Sequence, residues 1–220
     1  MTTQEQHQSN IDKMVFSRAH FKCMANVEAA IKNDPGITYL VQAINAAGCK
    51  FSLKQIVCTD EIGNKFGGAM KRVFPEENEP KPMIPDMSKD KILINQDYAG
   101  IVDEGITIRH ELIHAFDHCR IKDLNENDCY KIACTEVRAA NLSGECKFTK
   151  EFMGATKYSL SFLGRKVSCV RRNAIKSLMG LPQCALKAHE FVDAVLTSCY
   201  LDTAPLPSVF DYPTPETSSE

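Results

Sequence analysis

The chain of 220 residues predicts an α+β fold: a small mixed or antiparallel sheet in its first half and helices throughout its second. Three observations carry this. Segments with strand character fall only between residues 49 and 96. Apolar residues at helical spacing dominate on both sides of them. Residues 109–117 read as a helix through the core, which the sheet would have to cover.

Residues 11–32 place Val15, Phe16, Ala19, Cys23, Val27, Ala30 and Ile31 at helical spacing, and Asn33-Asp34-Pro35-Gly36 ends that helix. A second helix carries Leu40, Val41, Ile44 and Ala47 on one face, with Gly48 as its stop. Residues 49–58 begin with period-two alternation and predict a strand. Gly63-Asn64 then suggests a tight turn into a second strand of a hairpin over 65–70. Pro75, Pro80, Pro82 and Pro85, with Glu76, Glu77 and Glu79, mark 75–90 as a surface loop. Residues 91–96, Lys91-Ile92-Leu93-Ile94-Asn95-Gln96, predict a short strand. It is either an ordinary strand of the sheet or an edge strand that binds extended peptide by main-chain hydrogen bonds. Helices are expected from Asp103 to Cys119, from Asp128 to Leu142, over 165–179 and over 184–201. Residues 1–10 and 203–220 are expected to be disordered, leaving one domain over 11–202.

The stretch Arg109-His110-Glu111-Leu112-Ile113-His114 contains His-Glu-x-x-His. Residues i and i+4 share a helix face one turn apart, so His110 and His114 can offer imidazole nitrogens to one metal ion. Glu111 lies beside them, poorly placed as a ligand but within reach of a metal-bound water. This is the arrangement of a zinc hydrolase, with a fold of the zincin kind: two neutral imidazoles hold Zn²⁺ and a carboxylate takes the proton from water. The surrounding Ile106, Ile108, Leu112, Ile113 and Phe116 bury the helix, where an unliganded His-Glu-His cluster is costly.

A catalytic zinc normally has three protein ligands. His118 stands eight residues beyond His110, about 12 Å along a straight helix, and Asp117 about 10 Å, so neither can share one ion with both histidines. Glu136, 22 residues beyond His114, leaves room for a turn that returns a second helix against the first. Ala133, Ala139 and Ala140 would allow close approach. Arg138 either orients a carboxylate or neutralises a transition-state oxyanion, or it forms a structural salt bridge. With His110, His114 and Glu136 on the zinc, Glu111 is the general base that later passes the proton to the leaving amine. Peptide hydrolysis fits best, because an amide needs both carbonyl polarisation and leaving-group protonation.

A net charge of −2 gives no electrostatic argument for nucleic acid. No apolar run approaches the roughly 20 residues that span a bilayer, so any membrane association is expected to be peripheral. The first ten residues resemble neither a secretory signal nor a matrix presequence. Ten cysteines are dispersed along the chain with no Cys-x-x-Cys pair, which argues against zinc ribbons and thioredoxin-type redox motifs. Disulfides and buried thiols remain equal readings of such a set.

Residues 109–120, with Ala133-Cys134-Thr135-Glu136-Val137-Arg138-Ala139-Ala140-Asn141-Leu142-Ser143-Gly144-Glu145-Cys146, closely resemble the mitochondrial ATP synthase assembly metalloproteases, a family also described as Ku-binding. Weaker similarity at Gly48-Cys49, Gly67-Gly68, Cys169-Val170-Arg171 and Ser198-Cys199 extends it over about residues 20–205. The resemblance implies a peripheral protease on the intermembrane-space face of the inner membrane. There it would mature the N-terminus of ATP synthase subunit a and separately aid its assembly. It maps metal ligands onto His110 and His114 and the base onto Glu111. It also implies oxidation by the intermembrane-space disulfide relay, with up to five disulfides whose pairing stays open. Two other functions are compatible with these motifs: a non-proteolytic assembly chaperone for the ATP synthase membrane sector, and a Ku-associated nuclear partner. The nuclear reading requires ten free thiols.

Overall fold

The computed structural model describes residues 17–62, 67–72, 84–121, 124, 127–146 and 162–207. Among them are helices α1 (Arg18–Asn33), α2 (Pro35–Ala46), α3 (Glu104–Arg120), α4 (Cys129–Leu142), α5 (Phe162–Met179), α6 (Pro182–Ala185) and α7 (Ala188–Leu201). The strands are β1 (Ile56–Thr59), β2 (Gly68–Lys71) and β3 (Lys91–Asn95). The architecture is α+β, with a three-stranded mixed sheet.

Ser17 caps α1 by accepting from the His20 amide at 3.1 Å. The expected start of this helix at residue 11 lies outside the described residues, as do residues 1–10. Asp34 serves both helices at the next junction. Its amide donates to the Ala30 carbonyl at 2.9 Å, and its carboxylate accepts from Gly36 N at 2.9 Å. Pro35 then fills the first turn of α2, where no amide donor is needed. Gly48, at φ +99°, turns the chain out of α2 as expected.

The sheet corrects two expectations. Its order is β1-β3-β2, with β1 parallel to β3 (Ile56 opposite Ile92) and β2 antiparallel to it (Gly68 opposite Ile94). The expected hairpin between the first two strands does not form, because β3 enters between them; the Gly63-Asn64 turn lies outside the described residues. Ile92, Leu93 and Ile94 are all buried, as a strand covered on both faces must be, and this apolar run takes the centre. Of the two readings of 91–96, β3 is therefore the ordinary sheet strand, and β1 and β2 are the edge strands, β2 the antiparallel one. The strand expected over 49–58 shrinks to Ile56–Thr59. Before it, Leu53–Gln55 forms a 3-10 turn, and Gln55 Nε2 donates to the carbonyls of Met87 and Asp90 at 2.7 Å each. Those bonds fasten the described end of the proline-rich loop, where Met87 is fully buried. Residues 75–83 lie outside the description.

Two apolar clusters result. One gathers α1, α2, the sheet and α3 around Ile37, Ile44, Ile92, Ile108 and Leu112. The other gathers α4, α5 and α7 around Ala133, Val137, Val170, Leu178 and Val192. All ten cysteines are paired. Cys23–Cys58 and Cys49–Cys119 lie in the first half; Cys129–Cys184, Cys134–Cys199 and Cys146–Cys169 lie in the second.

The helix expected over 184–201 is two helices, α6 and α7, with the break at Leu186 and Lys187. A further correction concerns the end of the chain, expected to be disordered from Thr203. Residues 203–207 instead pack back onto the first half. Leu206 joins its core, and the Tyr39 hydroxyl donates to the Pro205 carbonyl at 2.8 Å. Residues 208–220 lie outside the description.

Candidate metal centre

Helix α3 begins where Asp103 accepts from the Ile106 amide at 3.1 Å. Ile108, Leu112, Ile113, Ala115 and Phe116 then bury it on most sides. Asp128 caps α4 by accepting from the Lys131 amide at 3.2 Å. The two helices lie side by side in opposite senses: Arg109 Nε donates to the Ser143 carbonyl at 2.7 Å, and Arg138 meets Asp117 eight residues further along α3. Of the small residues expected at this contact, Ala139 packs into the α3 side. Ala133 and Ala140 face α5 and α7 instead.

The pairing brings His110, His114 and Glu136 together. One ligand atom from each lies within 4.8 Å of the others. His110 Nε2 and His114 Nε2 are 3.1 Å apart. Glu136 Oε2 is 3.7 Å from the first, and its Oε1 is 3.5 Å from the second. Glu136 Oε2 is buried and lacks a hydrogen-bond partner. A buried carboxylate oxygen facing two imidazole nitrogens is a donor set that a divalent cation completes, so these residues fit a metal. The electrostatics agree. Burial disfavours the charged form of His110, yet Glu136, Glu145 and Glu111 together raise its pKa to about 10. Burial likewise opposes ionisation of Glu136, but His114 and His110 hold its carboxyl well below the usual range. The pocket thus selects positive charge, which a metal supplies in place of protons.

Glu111 is 7% exposed, and burial pushes its carboxyl pKa up. The edge strand β2 passes directly over it. A Cβ on Gly68 would lie 3.2 Å from Glu111 Cγ and 2.7 Å from the Thr107 methyl. A side chain here would force a shift, because the β-branched Thr107 is stiff at χ1 and its hydroxyl is bonded to the Asp103 carbonyl. Gly68→Val is expected to lower kcat/KM for a peptide substrate by about 10–100-fold by tilting β2 off the site. Steady-state kinetics at equal metal loading checks this, and wild-type kinetics would show that the close approach is incidental.

The other sequence candidates lie elsewhere. Arg138 is fully buried, but it does not face the metal ligands, which corrects the transition-state role considered for it. Its Nε donates to Asp117 at 2.9 Å, it pairs with Asp202 at 2.7 Å, and it donates to the carbonyls of Asp202 and Ala204. All three guanidinium nitrogens are engaged by these partners, the contacts of the salt-bridge reading. Asp117 is fully buried in the same network and also accepts from Arg120 at 2.8 Å.

His118 contacts Arg72. Burial, reinforced by the Arg72 charge, lowers its pKa to about 3. A histidine neutral in the fold but protonated when unfolded stabilises the fold fully above its ordinary pKa, near 6.5. That stability is lost as pH falls from there toward 3. His118→Gln is therefore expected to flatten the fall of Tm between pH 6.5 and 4 by several degrees, measured by calorimetry; an unchanged slope would show that His118 is not the group responsible.

One residue that the metal-site reading did not use also belongs here. Glu145 Oε2 lies 3.8 Å from His110 Nδ1. The only sequence signal for it was its position, nine residues past Glu136, after a Ser-Gly helix stop and before a cysteine.

A sheet with an antiparallel edge strand lying over a His-Glu-x-x-His helix, joined by a glutamate from the next helix, defines the metallopeptidase class. The peptidase M76 family profile matches residues 21–207. The chain is 41% identical to the mitochondrial inner membrane protease atp23 of Aspergillus clavatus over 191 residues, 86% of this chain and 73% of that protein. It is 32% identical to the protease of the same name from Emericella nidulans, over 86% of this chain and 72% of that one. The Danio rerio protein named mitochondrial inner membrane protease ATP23 homolog is 29% identical over 90% of this chain and 71% of its own length. No solved structure matches. The chain belongs to the peptidase M76 family, a metallopeptidase family.

Proposed function

We propose that the chain is a zinc metalloendopeptidase, and the juxtaposition of His110, His114 and Glu136 around one point, with Glu111 beside it, carries the proposal. Two imidazoles and one carboxylate are the ligand set of a catalytic zinc, which leaves a coordination position open. Bound there, zinc supplies Lewis acidity, polarising a peptide carbonyl and acidifying water. The chain's own groups do the rest. Glu111, buried and biased toward protonation, accepts a proton during attack and hands it to the departing amine. Among the described residues no strand pairs with the outer edge of β2, which offers main-chain donors and acceptors to an extended peptide, so the substrate is read by its backbone.

The substrate we assign is the N-terminal segment of the ATP synthase subunit a precursor, with assembly of that subunit as a second task. The resemblance of residues 109–146 to the assembly metalloproteases supports this substrate, and the relatives' names support only a protease of the mitochondrial inner membrane. The setting is the intermembrane-space side of the mitochondrial inner membrane, reached with the help of the disulfide relay. Among the described residues no helix is long and apolar enough to cross a membrane, which favours peripheral attachment. Ten paired cysteines favour an oxidising compartment over a nuclear role beside Ku.

Metal analysis of the purified, oxidised chain tests the reading. Near one zinc per chain is expected, with markedly less in Glu136→Ala. A folded wild type that holds no zinc would overturn the proposal, and equal zinc in both would remove Glu136 from the ligand set.

A further inference from the structure

We infer that Glu145 is a positioning residue that fixes His110 through its Nδ1, and that the Cys146–Cys169 disulfide exists to hold it there. The inference rests on the metal site proposed above.

His110 Nε2 faces Glu136 and His114, so a metal held there would take that nitrogen and leave the ring proton on Nδ1. The group facing Nδ1 is Glu145, at 3.8 Å. Its other oxygen, Oε1, is buried with no hydrogen-bond partner. The Glu145 side chain is only partly buried, so the cost falls on this one buried oxygen, which a cationic neighbour would offset. A metal held by His110 would supply that positive charge through the imidazole. An acceptor on the far nitrogen orients the ring, fixes its tautomer and makes the imidazole a stronger donor.

The turn that carries Glu145 is pinned on both sides. Upstream, the Ser143 carbonyl accepts from Arg109 Nε at 2.7 Å, and Arg109 is itself paired with Asp34. Gly144 takes φ +90°, which lets the chain reverse immediately after α4. Downstream, Cys146 is bonded to Cys169 on α5, and both sulfurs are buried in the second cluster. Asn173 Nδ2 lies against Cys146 Sγ at 3.6 Å. A four-residue turn held by α3 at one end and α5 at the other leaves Glu145 little freedom. Without the disulfide only the Arg109 end remains fixed, and the carboxylate can swing out to solvent.

The test is zinc affinity of the oxidised full chain by chelator competition, in wild type, Glu145→Gln, Glu145→Ala and Cys146→Ser/Cys169→Ser. At saturating metal all four should hold one zinc. Glu145→Ala should bind about 10–100-fold more weakly, and Glu145→Gln, which keeps an acceptor oxygen, should fall between it and wild type. The cysteine pair should weaken binding about 10-fold in the wild-type background and not further in Glu145→Ala, the non-additivity expected when both act through one group. Wild-type affinity in Glu145→Ala would overturn the inference and leave the metal site standing. Fully additive losses would overturn the clamp. A lost zinc stoichiometry in Glu145→Gln would make Glu145 a ligand instead. A wild type that binds no zinc would overturn the inference together with the reading beneath it.

Discussion

Glu111→Gln is expected to cut peptide hydrolysis by about 10²–10⁴-fold while the chain keeps its metal and its fold. The substitution preserves shape and removes only the ability to accept and return a proton. Its position makes the effect selective. Glu111 is buried beneath β2, is not among the three residues that converge on the metal point, and sits where burial already disfavours its charge. Replacing a buried carboxylate by a neutral amide should leave Tm unchanged or slightly raised. Cleavage of a peptide, zinc content and Tm should be measured on the same preparation. Cleavage at the wild-type rate would remove Glu111 from the chemistry, and loss of zinc would make it a ligand.

Arg138→Met is expected to destabilise the protein by about 3–5 kcal/mol, the range for removing one member of a buried ion pair. Methionine has nearly the length of the arginine stem, so little packing is lost. What remains is Asp117, fully buried with one cationic partner fewer, and two carbonyls at Asp202 and Ala204 that lose their donor. Arg120 stays on Asp117 at 2.8 Å and offsets part of the loss. Arg138→Met/Asp117→Asn should therefore recover a substantial fraction of it. Denaturant midpoints at constant m check both variants. A change below 0.5 kcal/mol in the single variant would show that water replaces the guanidinium without cost.

Local codes were legible in the sequence and long-range ones were not. His110 and His114 meet because the helix repeat puts them one turn apart, and that repeat is written within five residues. Glu136 could be proposed because a 22-residue separation suits a helix that folds back. Strand pairing depends instead on which segment competes best for the centre. The Gly63-Asn64 signal favoured a hairpin, but Ile92-Leu93-Ile94 is the more apolar run and displaced it. Arg138 was ambiguous because its partners, Asp117, Asp202 and Ala204, are 21, 64 and 66 residues away. The order of residues 203–207 was hidden by their prolines, which read as a tail and act as a strap. The cysteines gave their number but not their partners, since pairing is decided by helices that must first assemble.

The disulfides divide between the two halves and never bridge them. Residues 23–119 contain two bonds and residues 129–199 contain three, so each half is stapled only to itself. The metal point has the opposite design: His110 and His114 come from the first half and Glu136 from the second. The five disulfides therefore leave the candidate ligands unlinked, and no disulfide holds the two halves together around the metal point. Docking of the halves, held by Arg138 and the returning strap, is the step that completes the ligand set. The three candidate ligands thus converge only when the two halves are packed against each other.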